Sequence, residues 1–352
     1  MKFSNNLILS SNSITARSRV HAENMDALSR GLNFWTDAPL PVDRFTLARH
    51  GKIDDAEVSK QLESFDIKPK NKKYFERSSI LLFSVIKDYA PLLRNVAGDE
   101  IGLYCGVGPA NARIGDFRDW AAGIDNADEF YPSVMASSVI KLLPNIVMSN
   151  LSINMGWRGE NAIFSSCASA FFDALNSLLT AFEDGSSQAA AAASVSAPFE
   201  YFNMDSYSRF FGPGFFAPPL CEAASSMLLC TPDFYADRFA KDGLIPEGRI
   251  LSVDSYKTPE GFFNRSDIQN SENMARGFLM SANYDFTDVI SFKAAPSACG
   301  NFLTGGEPLN LMGLIYSLNS AGKSGCAVSA NIDYFGNLHV IKAGGRASIK
   351  LP

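Results

Sequence analysis

The sequence predicts a mixed α/β fold, because apolar strand-like runs alternate with amphipathic helical patterns along both halves of the chain. The chain has 352 residues, which is enough for one large domain or two fused halves around a substantial core. No short-period repeat and no low-complexity linker interrupts the alternation. These observations indicate layers of helices packed against sheets.

In the first half, residues 77–95 predict a helix, since their apolar side chains recur at helical spacing. Residues 100–109 predict a buried strand that enters a glycine turn, and Pro144 breaks or starts a helix within 137–156. The other predicted elements of this half are a strand at 6–11, a strand at 161–166, a helix from Cys167 to the EDGSS turn, and a small-residue strand at 188–198.

Residues 198–220 are rich in phenylalanine, tyrosine, glycine and proline, and they predict a loop or cap. The chain is therefore expected to divide into a first half at 1–197, a cap at 198–220 and a second half at 221–352. In the second half we expect strands at 225–230, 249–256, 288–294, 325–332 and 337–344, and helices at 270–283 and 307–322.

The composition argues against several function classes. A net charge of −6 gives no sign of a nucleic-acid binder. No run approaches the roughly 18 apolar residues of a membrane span, and the opening MKFSNNLILSSNS is a poor signal peptide. Six cysteines are scattered without a CxxC pair, which predicts reduced thiols in the cytoplasm. No metal and no cofactor are expected.

Cys167 is the first candidate for a site residue. It stands where an apolar strand run gives way to a helical pattern, so it is expected at the first turn of a buried helix. The unpaired N–H groups and the dipole of such a turn stabilise a thiolate, and the same N–H groups hold an oxyanion during acyl transfer. The alternative is a buried and inert cysteine, which is common in protein cores.

The sequence around Cys167 is LLPNIVMSNLSINMGWRGENAIFSSCASAFFDAL. It resembles the region that leads through the active-site cysteine of the β-ketoacyl synthases, the condensing enzymes of the thiolase superfamily. The similarity lies in a PN helix at Pro144, a GxxG turn at Gly156 and Gly159, and the SSCAS run. Further motifs follow in the same order as in the family: PPLCEAASSMLLC with Glu222, GNFLTGGEPLNLMGLIYSL with Asn301, and SANIDYFGN with Phe335 and Gly336.

This resemblance implies a thiolase-like fold, in which two similar halves stack in five layers, α-β-α-β-α. It places Cys167 on a buried helix between the sheets, where the family's cysteine carries the acyl chain. It also implies that Phe335 is the gate phenylalanine, and that Glu222 and Gly336 contribute to the substrate site.

The resemblance breaks at the two histidines that assist decarboxylation in such synthases. Asn301 occupies the second position; its amide can donate a hydrogen bond to an enolate oxygen, but it cannot shuttle protons. Lys293 falls either at the first histidine position or at the family's structural lysine, and the spacing to Asn301 does not decide between them. His21 and His50 lie outside every motif, and His339 follows the gating loop in a strand, where a structural role is more common.

The gating loop departs from the family too, because Tyr334 and Asn337 replace glycines that let the backbone swing. The absent histidines and a more fixed gate favour a chain-length-factor-like subunit that pairs with an active synthase in type II fatty-acid, polyketide or polyene assembly. The retained Cys167 favours the alternative, an atypical active acyltransferase or condensing enzyme. A third alternative, a cysteine hydrolase, needs His339 as its base.

The expected partners are an acyl carrier protein and a ketosynthase subunit in a heterodimer, with a homodimer as the alternative. The small-residue strand Ala189–Ser196 is expected to form the dimer interface as an edge strand. The basic cluster KPKNKKYFER at 68–77 is expected either to dock an acidic carrier protein or to be a solvated loop. Its basic residues are Lys68, Lys70, Lys72, Lys73 and Arg77.

Overall fold

A computed structural model describes most of the chain, including parts of both halves. The described residues are 2–3, 5–42, 45–108, 143–166, 168–199, 203–204, 207–208, 219–259, 271–295, 299–333 and 336–349. Cys167 and Phe335 of the predicted site lie outside these ranges, as does most of the predicted cap.

The strands follow the predicted order, and three short strands at 2–3, 40–42 and 45–47 are found in addition. In chain order they are β1 (Lys2–Phe3), β2 (Leu7–Thr15), β3 (Leu40–Val42), β4 (Phe45–Leu47), β5 (Ile101–Val107), β6 (Asn161–Ser165), β7 (Ala189–Ser196), β8 (Ala223–Cys230), β9 (Gly248–Lys257), β10 (Val289–Ala295), β11 (Cys326–Ile332) and β12 (Asn337–Gly345).

The helices in the described ranges are α1 (His21–Ser29), α2 (Asp55–Ser64), α3 (Pro69–Lys72), α4 (Arg77–Ile86), α5 (Asn145–Met155), α6 (Ala170–Asp184), α7 (Pro232–Arg238), α8 (Ser271–Ser281) and α9 (Gly306–Ser320). Local sequence explains several of their ends. Asp54 starts α2, because its side chain accepts hydrogen bonds from the N–H groups of Ala56 and Glu57. Gly156 and Gly185 end α5 and α6 in the left-handed conformation.

The large sheet consists of two parts that meet at one short contact. The first part has the order β6-β5-β7-β8-β2, and the second has the order β9-β12-β11-β10 with β1 beside β9. The two parts join where Leu7 and Ile8 of β2 pair with Arg249 and Gly248 of β9. Strand β8 follows residue 221 in the sequence but lies in the first part of the sheet, between β7 and β2. The division of the chain at residue 221 remains a prediction.

Three apolar clusters show how the layers stack. Helix α4, which is buried along its whole length, packs on one face of the first sheet with Leu103 and Cys105 of β5. Helices α1, α6 and α9 share a second cluster with Tyr104 on the opposite face of that sheet. Helix α8 covers the far face of the second sheet against Phe292 of β10. The order α-β-α-β-α follows, and the predicted five-layer α/β fold is confirmed.

Strand β7 does not form an edge, which corrects the predicted interface at Ala189–Ser196. It pairs with β5 on one side and with β8 on the other, and all eight of its residues are buried. Its alanines alternate between the outer cluster and the cluster shared by the central helices. The small side chains therefore let helices pack closely on both faces of the strand.

Among the described residues, no helix is both long and apolar enough to span a membrane.

Candidate functional site

Asn301 lies in the turn that precedes α9, and neighbouring backbone segments hold it in place. Its N–H donates to the carbonyl oxygen of Pro219 at 2.9 Å, and its own carbonyl oxygen accepts from the N–H of Cys221 at 2.9 Å. Gly300 beside it has φ of +150°, and a Cβ there would lie 2.5 Å from the Cys221 sulfur. The close approach therefore requires glycine before Asn301.

The Asn301 amide is buried, with 3% of the residue exposed. Its Oδ1 accepts a hydrogen bond from the N–H of Leu303 at 3.1 Å, whereas Nδ2 has no partner among the described residues. Leu303 has a φ of +48°, a strained conformation that this local bond helps to hold. The amide NH₂ group therefore has both of its N–H donors without a partner among the described residues, and a group that stabilises a developing oxyanion needs such a free donor.

A narrow crevice, too tight to hold a water molecule, adjoins this turn. Its lining includes Ser166, Ser196, Leu303 and Thr304. The hydroxyl groups of Ser196 and Thr304 are buried and have no hydrogen-bond partner in the described part of the chain. Buried polar groups are normally paired, so these hydroxyls mark a polar region beside the segment that contains Cys167.

The residues on either side of Cys167 are anchored. The Ser166 N–H donates to the carbonyl oxygen of Val107 at 3.1 Å, and Asn331 Nδ2 donates to the carbonyl oxygen of Ala168 at 2.9 Å. Helix α6 begins two residues later at Ala170. The predicted helix after the cysteine is therefore present, while the role of Cys167 remains a prediction.

Lys293 lies on β10 and reaches the end of α1. Its Nζ donates to the carbonyl oxygen of Leu28 at 2.7 Å. A cation near a helix C-terminus is favourable, so this contact by itself gives the lysine a structural role. A role for Lys293 in catalysis remains a prediction.

Glu222 is fully buried at the start of β8. Its Oε1 lies 2.6 Å from Arg77 Nε, and its Oε2 lies 2.6 Å from the Nη2 atom of the same guanidinium. The N–H of Ile53 donates to Oε2 at 2.7 Å. Burial raises the pKa of Glu222, and the Arg77 guanidinium opposes this shift. The predicted substrate role of Glu222 remains untested; the contacts show a bidentate buried ion pair that ties three segments together.

The predicted gating loop is closed by a cluster of hydrogen bonds. Asp333 Oδ1 accepts from the N–H of Asn337 at 2.8 Å, and Oδ2 accepts from Asn337 Nδ2 at 2.6 Å. The carbonyl oxygen of Gly336 accepts from the hydroxyl and the N–H of Thr258. The side chain of Asn337 thus joins the two described ends of this loop, and the fixed gate remains a prediction.

Four titratable residues lie on or beside α6 and interact electrostatically. The sequence did not indicate that they form one group. They are Asp173 on α6, Glu307 on α9, Asp333 after β11 and His339 on β12. Only His339 stood out in the sequence, because histidines are scarce. The three acids belong to different motifs, and no spacing rule brings them together.

The described residues contain no group of His, Cys, Asp or Glu side chains arranged to hold a metal ion.

Glu307 is 0% exposed, and its carboxyl group makes no well-formed hydrogen bond to a described residue, although the Phe172 N–H lies near it. Burial raises its pKa well above the ordinary value of 4.5; Asp173 adds to this shift, and the Phe172 N–H opposes it. The folded chain therefore retains a proton that the unfolded chain loses above about pH 4.5. The free energy of unfolding therefore falls as the pH rises from about 4.5 through the pKa of Glu307 in the folded chain.

We expect Glu307→Gln to raise the free energy of unfolding by roughly 1–3 kcal/mol at pH 8 and to change it little at pH 4. Urea denaturation at both pH values measures this difference, with the exposed Glu63→Gln as the matched control. A Glu307→Gln protein that is no more stable than the wild type at pH 8 would contradict the buried-acid assignment.

Neither a protein-family profile nor a curated protein sequence matches the chain. Solved structures do match. The ishigamide ketosynthase/chain length factor superposes with a TM-score of 0.74 at 16% identity, over 97% of this chain and 99% of that chain. A type II polyketide synthase acyl-carrier protein in complex with its ketosynthase gives 0.70 at 9% identity, over 97% and 99%. An oxazolomycin ketosynthase domain from Streptomyces albus JA3453 gives 0.70 at 11% identity, over 99% and 75%.

These similarities establish the thiolase-like fold of the ketosynthases for nearly the whole chain. The resemblance to β-ketoacyl synthases that the ordered motifs predicted is thereby confirmed at the level of the fold. Identities of 9–16% do not carry an activity over, so the function is argued from the site.

Proposed function

We propose that the chain is a ketosynthase-like subunit of type II fatty-acid, polyketide or polyene assembly, and that it acts as a chain-length-factor-like partner of an active synthase. The carrying observation is Asn301, which the resemblance aligns with the family's second histidine and whose amide nitrogen has no partner among the described residues. An amide stabilises negative charge but does not transfer protons, so this position supports binding better than decarboxylative condensation.

Lys293, which the resemblance aligns with the first histidine or the structural lysine, and the two histidines outside the motifs have partners elsewhere. The Nζ of Lys293 donates to a backbone carbonyl of α1. His21 lies between the hydroxyls of Ser11 and Ser13. His50 contacts the backbone N–H of Lys52. These contacts support a subunit that has lost the acid–base pair of a condensing enzyme.

The proposed partners follow from the structures that share the fold. One of these is described as a ketosynthase/chain length factor, and another is a ketosynthase in complex with an acyl-carrier protein. For this chain we infer a ketosynthase partner, and a carrier protein that meets the basic cluster at 68–77. The exposed members Lys68, Lys70 and Lys73 supply this surface. Arg77 does not, since it is buried against Glu222, which corrects its predicted place in the cluster.

The test of this proposal is assembly with a synthase. Purified chain is mixed with type II ketosynthases that retain the cysteine and both histidines, and masses are measured by light scattering. We expect a stable one-to-one complex with at least one synthase, and elongation of a carrier-bound acyl chain by that complex. A chain that remains monomeric alone and with every candidate would contradict the proposal. Substitution of Lys70 and Lys73 by glutamate should weaken carrier binding without dissolving the complex.

A second candidate function is an atypical acyltransferase that uses Cys167. One observation favours it, namely the buried His339–Asp333 pair that contacts the helix after Cys167.

A further inference from the structure

His21, the first residue of α1, joins that helix to β2 and to the residue before β9. Its Nε2 lies 3.1 Å from Ser11 Oγ, and its Nδ1 lies 2.9 Å from Ser13 Oγ. The Ser11 hydroxyl donates in turn to Glu247 Oε2 at 2.5 Å. The four side chains therefore form one hydrogen-bonded chain, close to the short contact that joins the two parts of the large sheet.

The hydrogen positions in this chain follow from what each group can donate. Ser11 has one hydroxyl hydrogen, which it gives to the Glu247 carboxylate, so Nε2 of His21 carries the hydrogen of its contact with Ser11. In the neutral ring Nδ1 is then an acceptor, and the Ser13 hydroxyl donates to it. A protonated ring has hydrogens on both nitrogens and cannot accept this bond. Ser13 is 0% exposed, so water does not replace the lost bond.

The first turn of α1 depends on these contacts. The helix has nine residues, and no described side chain caps its N-terminus. Isolated helices shorter than about 12–15 residues are marginal in water. The large apolar side chains that anchor α1 in the core, Met25 and Leu28, follow the first turn. The first turn itself is held on β2 by the polar contacts of His21 and Asn24.

The segment that follows α1 leads to the candidate site. The Phe34 N–H donates to the carbonyl oxygen of Cys299 at 2.9 Å, and the Phe34 carbonyl oxygen lies 3.6 Å from Cys221 Sγ. The N–H of Cys221 donates to the carbonyl oxygen of Asn301. Helix α1 therefore has the hydrogen-bonded chain at its start and leads, after its end, to the backbone that holds Asn301.

Acid weakens the hold on the first turn. Burial lowers the pKa of His21 from its ordinary value of 6.5 to about 4, whereas release of the turn exposes the ring and restores the ordinary pKa. The released state therefore binds more protons than the closed state at every pH between these two values. The hold that neutral His21 provides is complete above pH 6.5 and is lost as the pH falls from 6.5 to about 4.

Other titratable or charged residues lie on the elements around the ring. They are Glu247 before β9, Arg346 after β12, Lys293 at the other end of α1, Glu307 and Tyr316 on α9, and Glu23 and Asp26 on α1 itself; β2 has none. Burial raises the pKa of Glu247 and of Glu307. Because a carboxyl group with a raised pKa stabilises the folded chain in acid, these two groups act in the opposite direction to His21.

We propose that the first turn of α1 is an acid-sensitive latch, in which neutral His21 between Ser11 and Ser13 fastens α1 to β2, and protonation of His21 releases it. The latch goes beyond the proposed partner function and does not depend on it. Release of the turn opens the helical hydrogen bonds from the N–H groups of residues 24–28 to the carbonyl oxygens of residues 20–24. Exchange of these amide hydrogens with solvent therefore reports the state of the latch.

Hydrogen–deuterium exchange of the full chain measures the release, after correction for the intrinsic exchange rate at each pH. With imidazole pKa values of about 4 and 6.5 in the closed and released states, we expect the released fraction to rise about 30-fold from pH 7.5 to pH 5.0. The amides of residues 24–28 should be less protected than those of β5 at both pH values, because the latch opens without global unfolding. His21→Gln should remove the rise, whereas Glu247→Gln and the control His50→Gln should keep it.

Imidazole NMR measures the proton itself, since the chain has only three histidines. With a pKa of about 4, His21 should remain about nine-tenths neutral at pH 5. Ser13→Ala removes the hydroxyl that donates to Nδ1 and should raise the titration midpoint of His21 by about 0.5–1 pH units; it supplies the test if His21→Gln does not fold. A His21 signal that titrates near pH 6.5, α1 amides as protected as those of β5, no rise of exchange in acid, or a rise that persists in His21→Gln would each overturn the inference.

Discussion

Glu222→Ala is expected to lower the free energy of unfolding by about 3–5 kcal/mol, because it leaves the Arg77 guanidinium buried without its carboxylate. Arg77 and Glu222 are 5% and 0% exposed, so water cannot replace the lost partner. The pair also holds Ile53, and the neighbouring Gly51 bonds to Leu220. We therefore expect the loss of the ion pair to displace the backbone segment that holds Asn301 in place.

The double variant Arg77→Met/Glu222→Met is the informative companion, since it removes both charges and fills the space with apolar side chains. We expect it to recover much of the stability lost in Glu222→Ala. Asp55→Ala is the matched control, because Asp55 also contacts Arg77 but its side chain is 70% exposed. Chemical denaturation measures all three, and a Glu222→Ala chain within about 1 kcal/mol of wild type would contradict a structural role for the ion pair.

We expect the isolated chain to elongate an acyl chain with malonyl-carrier protein much more slowly than the complex of the chain with a partner synthase does. The expected ratio of the two rates is about 10² to 10⁴. The physical reason is that Asn301 supplies a hydrogen bond but no proton transfer. Product formation followed by mass spectrometry measures the ratio, and comparable rates for the isolated chain and the complex would contradict the account.

Much of the fold could be predicted because long apolar runs in the sequence indicate strands and helices that are buried in the core. The runs at 101–107 and 223–230 are strands buried at every position. The helices predicted from Cys167 to the EDGSS turn and at 307–322 correspond to α6 and α9, which lie in the central layer. Helix α1 was missed because it is short and lacks a side-chain cap at its start. Helix α2 had a readable signal in Asp54 followed by Glu57.

The wrong predictions arose because residues that are close in sequence were assumed to be equally exposed to solvent. Arg77 was grouped with the lysines before it, yet it begins the buried helix α4 and points into the core. The alanines of β7 suggested an edge that a second subunit could approach, but the same small side chains fit between two layers of helices. Both outcomes depend on tertiary packing.

Single motifs could select candidate site residues from the sequence, whereas contacts between distant motifs could not be predicted. Asn301 was selected from a single turn motif, and its amide nitrogen has no partner among the described residues; its role in a site stays a prediction. The partners of Glu222 lie 145 and 169 residues away, so no local pattern joins them. His339 and Asp333 are six residues apart across the gating loop, and their pairing depends on the register of β11 and β12.

The central claim is that condensation takes place on the partner synthase, and Cys167→Ala tests it most directly. Elongation is measured for the complex of the synthase with wild-type chain and with the Cys167→Ala chain, under equal carrier and malonyl supply. We predict that the variant complex keeps the elongation rate of the wild-type complex, since carbon–carbon bonds form at the partner's cysteine. Loss of elongation in the variant complex, with assembly intact by light scattering, would place the chemistry on this chain and contradict the account.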